Sequence, residues 1–108
     1  MTELAVSNAA ASMAWYRDRL GLEVELFDEV NGFVLLKSKG GRLALKQGTP
    51  GTTGVLLHFE VSDLEGELAR LIAEGVTVVS PIQASLEGYR RAIVSDPDGY
   101  RVGVFEVG

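Results

Sequence analysis

The chain has 108 residues, 46% hydrophobic and 23% charged, enough for one compact unit or two very small modules sharing a core. It holds no cysteine, which excludes disulfides, thiolate metal sites and a cysteine nucleophile. No apolar run approaches the roughly 20 residues of a membrane span, and a net charge of −5 without any Lys/Arg cluster excludes nucleic acid as a partner class.

The imbalance is uneven: residues 1–50 carry six charges of each sign, whereas residues 51–108 carry four basic and nine acidic side chains. The start, MTELAVSN, lacks the basic and apolar regions of a signal peptide, so a cytoplasmic setting is expected.

Thr2 to Val6 alternates as a short strand. Ser7 or Asn8 can cap a helix from about Ala9 to Leu20 that ends at Gly21, with Met13, Tyr16 and Leu20 as its apolar face. Leu22 to Phe27 reads as a strand with Leu22, Val24 and Leu26 on one side, and Asn31-Gly32 marks a hairpin. Strands over Phe33–Lys37 and Arg42–Lys46 follow. The stretch from Gln47 to Gly54, QGTPGTTG, is the best linker candidate.

The pattern then restarts. Leu56 to Val61 is a strand. Ser62 with Glu65 fits a capping box, and Asp63 is the competing cap. Leu64, Leu68, Leu71 and Ile72 line a helix that stops at Gly75, and Glu65, Glu67, Arg70 and Glu74 form its solvated face. Val76–Val79 is a strand, Pro81–Gly88 a loop, and Tyr89–Ser95 a strand. Asp96-Pro97-Asp98-Gly99 is a tight turn before a last strand, Arg101 to Val107.

The halves overlay. Val6-Ser7-Asn8 matches Val61-Ser62-Asp63, Gly21-Leu22-Glu23-Val24 matches Gly75-Val76-Thr77-Val78, and Leu43-Ala44-Leu45 matches Val102-Gly103-Val104. The expected fold class is α+β: two tandem βαβββ modules at 1–49 and 55–108, joined by a linker at 50–54. A helix would cover one face of each sheet and leave the other face to curve around a space.

Ser12-x-x-Trp15-Tyr16-Arg17-Asp18-x-Leu20-Gly21-Leu22, the Val61-Ser62-Asp63-Leu64 helix start and Asp96-Pro97-Asp98-Gly99, set on this repeat, resemble the vicinal oxygen chelate superfamily. That group includes glyoxalase I, extradiol dioxygenases and bleomycin-resistance proteins. The resemblance implies an open, barrel-like cup and, since members are often dimers, a homodimer. Its catalytic members hold a divalent metal with His and Glu side chains. The corresponding positions here are Met1, Ala44, Leu56 and Gly103, none of which can ligate a metal. No metal and no cofactor are therefore expected.

Alternation places Glu3 and Ala5, then Leu56, His58 and Glu60, then Arg42, Ala44 and Lys46, and finally Arg101, Gly103 and Phe105 on the face toward the cup. Leu4, Val6, Leu43, Leu45, Leu57, Phe59, Val61, Val102 and Val104 fall on the helix-packed face. The ligand-binding residues expected from this are Glu3, Arg42, His58, Glu60, Arg101, Gly103 and Phe105, with no catalytic residue. His58, the only histidine, reads either as a satisfied side chain in a polar cavity or, with Glu3 and Glu60, as a displaced metal or acid–base centre. Arg101, Arg42 and Lys46 either hold an anionic ligand group or pair with Glu3, Glu60 or Glu106. Trp15 and Tyr16 read as core, and Phe33, Tyr89 and Phe105 as pocket wall. Gly103 and Ala44 are small, which would leave volume for an organic ligand.

Three functional readings stand side by side. The first is a metal-free binding protein for a small organic molecule, sequestering a drug or metabolite. The second is a metal-dependent lyase, isomerase or dioxygenase centred on Glu3, His58 and Glu60. The third is a non-catalytic interaction scaffold. Neither nucleic acid nor membrane is expected as a partner.

Overall fold

The computed structural model describes residues 1–107. The chain divides into two compact units, Met1–Gly51 and Thr52–Gly108. The first runs β1 (Thr2–Val6), α1 (Ala9–Leu20), β2 (Glu23–Asp28), β3 (Phe33–Ser38) and β4 (Gly41–Gln47); the second runs β5 (Leu56–Glu60), α2 (Leu64–Ala73), β6 (Val78–Ala84), β7 (Tyr89–Ser95) and β8 (Arg101–Val107). Each unit is thus a βαβββ module. Its sheet is mixed, in the order β1-β4-β3-β2 or β5-β8-β7-β6, with first and last strands parallel and the other pairs antiparallel. A parallel pair needs a long crossover, and in each module the helix and two intervening strands supply it.

The helix-packed faces follow from strand alternation. Leu4, Val6, Val34, Leu36, Leu43 and Leu45 are buried in the first module, and Ala92, Val94, Val102 and Val104 in the second. Asn8, not Ser7, caps α1, its side-chain oxygen accepting the Ala11 N–H at 3.0 Å. The buried stripe of α1 is Ala9, Ser12 and Tyr16, whereas Met13 and Leu20 are only partly covered. The small side chains at positions 9 and 12 let the helix lie close on its sheet, so packing turned the face by a residue from the apolar spacing.

Asp63 wins the competition to cap α2, accepting the Gly66 N–H at 3.1 Å. Glu65 makes no capping box; it turns to Arg90 instead. Leu64 and Leu71 carry the core contact of α2, and Ile72 is 55% exposed.

Two edge strands depart from expectation. β2 begins at Glu23, one residue late, and Val24 and Leu26 are exposed beside a register shift. β6 spans Val78–Ala84, straight through Pro81, where a loop was predicted. Proline cannot donate to a ladder, but β6 is an edge strand and its register shifts between Ser80 and Gln83, so no pairing is lost.

The turn before β8 is tied by Asp96, which is buried: its Oδ1 accepts the Asp98 N–H at 2.9 Å and the Tyr100 N–H at 2.8 Å. Gly99 has φ 89°, a conformation that disfavours other residues. The turn delivers buried Tyr100 to the core and starts β8 in fixed register.

Candidate functional site

In the second module the strands bring expected and unexpected residues together on the face opposite α2. The register aligns His58 of β5, Gly103 of β8 and Ile93 of β7 in one row, and Glu60, Phe105 and Arg91 in the next. Arg101 pairs with Leu56 and Ser95 one row further out, at the exposed start of β8.

Gly103 explains this face, but not as expected. It is no open volume: a methyl group built on it would land on the His58 imidazole, with Nε2 at 2.8 Å and the Arg91 Cδ at 3.2 Å. The missing side chain is replaced by a histidine ring from the adjacent strand. Ala44, its counterpart in the first module, has no exposed surface either. At Gly103, therefore, the small residue seats a neighbouring side chain instead of leaving room.

Over Gly103, the Arg91 Nη1 lies 3.0 Å from His58 Nε2. A guanidinium only donates, so Nε2 accepts and the imidazole proton sits on Nδ1. Burial, and then the charge of Arg91, hold the His58 pKa below its ordinary value, which keeps the ring neutral near pH 7. Phe105 and Tyr89 complete the cluster, with ring centroids 5.6 Å and 6.5 Å from His58 and 5.8 Å from each other.

Arg91 was not read from the sequence. The Arg90-Arg91 doublet lies in a strand, so alternation sends the two to opposite faces. Arg90 goes to the helix side, where its guanidinium meets Glu65 at 2.6 and 2.8 Å and Glu106 at 2.8 Å. Glu106 also accepts the Leu64 N–H at 3.0 Å, and the hydrogen bonds from Arg90 pull Glu65 down to about 2. Carboxylate oxygens of Asp63, Glu65 and Glu106 lie within 4.8 Å of one another, but Arg90 is already the cation of Glu65 and Glu106, and Asp63 caps α2. The cluster clamps the start of α2 to β7 and β8.

The first module brings together Glu3 and Ala44, aligned in the β1–β4 register. Within its own module Arg42 pairs with Glu25 of β2 at 2.8 Å and not with Glu3. Lys46 donates to the Asn31 carbonyl at 2.9 Å. Tyr16 is fully buried against Trp15, at a centroid distance of 4.9 Å.

These residues do not fit a resident divalent metal. Ala44, Leu56 and Gly103 offer no donor side chain. The Nε2 of His58 already accepts from a guanidinium, whose charge opposes a second cation at short range.

Two βαβββ modules, each a four-stranded mixed sheet with a helix on one face, define the glyoxalase-like α+β class. Residues 1–104 match the glyoxalase/bleomycin resistance protein/dioxygenase superfamily, and the chain belongs to it. An uncharacterized protein of Mycobacterium tuberculosis, Rv0887c, is 30% identical over 77 residues. That match covers 66% of this chain and 45% of the mycobacterial protein, so the chain spans about half the length of the curated relatives it matches. A superfamily member from Sphaerobacter thermophilus is 25% identical with a TM-score of 0.81, covering 97% of this chain and 94% of that one. Lactoylglutathione lyase from Agrobacterium tumefaciens has the same TM-score at 22% identity, covering 98% and 91%, a likeness of fold alone. No helix among the described residues is long and apolar enough to cross a membrane.

Proposed function

We propose that this protein binds a small organic molecule without a resident metal, on the face carrying His58, Arg91, Tyr89 and Phe105. The observation that carries the reading is the imidazole seated over Gly103, where it accepts from Arg91. It converts the mid-strand position into a hydrogen-bonding group beside two aromatic rings, a mixture of apolar wall and few polar groups suited to organic ligands. Sequestration of a drug or metabolite, as in the bleomycin-resistance branch, is the concrete form of this role, in a cytoplasmic homodimer.

A thermal-shift screen of small molecules tests it, with the ring signals of His58, the only histidine, as a site reporter. Ligands that bind the folded state raise the melting temperature, and they are expected to move those signals. One tightly bound divalent ion per chain that is lost in His58→Ala would overturn the reading. So would metal-dependent turnover abolished by that substitution, which belongs to a lyase, isomerase or dioxygenase using Glu3, His58 and Glu60. Light scattering tests the dimer.

A further inference from the structure

We infer that the group this face recognises is a carboxylate carried on a flat apolar body, an inference that rests on the binding role proposed above. Among the other six arginines, Arg17 pairs with Asp18, Arg42 with Glu25, Arg70 with Glu67 and Glu74, and Arg90 with Glu65 and Glu106, while Arg101 lies exposed at the start of β8. Arg91 is half-buried, lies in the acidic half of an acidic chain, and has no carboxylate partner among the described residues. The reason is geometric. Glu60 stands in its row, but Phe105 of β8 lies between them in the register.

What Arg91 meets instead is a neutral imidazole nitrogen, which uses one N–H and leaves the rest of the planar fork for another acceptor. The His58 Nδ1–H likewise has no partner among the described residues. One guanidinium charge matches a single carboxylate better than a dianion, and the His58 Nδ1–H, on the far side of the ring from Arg91, is left for a separate acceptor. Beside them, the Tyr89 and Phe105 rings stand 5.8 Å apart, edge to face, and present an aromatic wall to the body of the ligand.

Three probes of one shape separate the terms: 2-naphthoate, its neutral amide and 2-naphthyl phosphate, titrated into the intact protein while the His58 ring signals are followed. The carboxylate is expected to bind at least about tenfold more tightly than the amide, the increment of a charge-assisted hydrogen bond. Arg91→Gln is expected to bring the carboxylate down to the amide's affinity, and the urea midpoint of the variant serves as the control for folding. Equal affinity of amide and carboxylate, both moving His58, would overturn the carboxylate assignment and leave the binding role standing. Tighter binding of the phosphate would overturn it in favour of a phosphoryl group. Failure of all three probes to move His58 would overturn the assignment, whereas the binding role is judged by the wider screen.

Discussion

Gly103→Ala would set a methyl group on the His58 ring. The ring is exposed enough to swing away, so the backbone need not yield, but leaving breaks the contact with Arg91 at 3.0 Å and those with Phe105 and Tyr89. The hydrogen bond contributes about 0.5–1.5 kcal/mol net. The ring contacts add about 0.5–1.5 kcal/mol, with exposure favouring the low end. Against this, alanine in a strand gains about 0.5–1 kcal/mol over glycine, and Gly103 does not have the positive φ that would cancel the gain. The single variant is therefore destabilised by about 0–2 kcal/mol while its site comes apart. In a His58→Ala background the same methyl meets only the Arg91 Cδ at 3.2 Å, a flexible side chain released from its histidine, and the substitution should stabilise by up to about 0.5–1 kcal/mol. Urea unfolding of the four proteins measures the coupling, expected at about 0.5–3 kcal/mol as for residues in contact. Additive effects, with unmoved His58 signals in Gly103→Ala, would refute the reasoning that glycine is there to seat the ring.

Asp96→Ala removes the acceptor for the buried Tyr100 N–H and for the Asp98 N–H, and should cost about 2–3 kcal/mol by urea unfolding; a change below about 0.5 kcal/mol, the range of ordinary surface substitutions, would contradict the turn's role. Asn8→Ala and Asp63→Ala each remove a helix cap and should cost about 1 kcal/mol, whereas Ser7→Ala and Ser62→Ala should remove none, which compares the competing caps directly. His58 titrates below its ordinary value of 6.5 because of burial and then Arg91. The unfolded chain takes up that proton first, so stability is unaffected well above 6.5 and falls as the pH drops from there through the depressed native value. A urea midpoint that rises on acidification in that window would contradict this sign, and His58→Gln should flatten the profile.

Much of the fold was legible because its signals are local. Alternation marked β1, β7 and β8 to the residue, and the helix caps lay within a residue of where short polar side chains stand before apolar runs. The edge strands were less legible. Pro81 and the exposed Val24 and Leu26 obey rules set by which strands are left unpaired, and that is known only once the sheet order is known. The site divides the same way. His58, Gly103 and Phe105 came from period-two counting along β5 and β8; the same counting along β7 puts Arg91 on their face, but only the strand register brings it to His58.

Sequence alone determined the doubled βαβββ pattern and the lack of donor side chains at Ala44, Leu56 and Gly103, because repeats and residue identity need no coordinates. Only the tertiary structure decided what stands in the place of a side chain at Gly103. Strand register brings β5, β7 and β8 side by side, and across those strands an imidazole fills the glycine's place and a guanidinium meets it. Pairing of distant strands is a collective result of core burial and turn geometry, so no local stretch of the chain contains it.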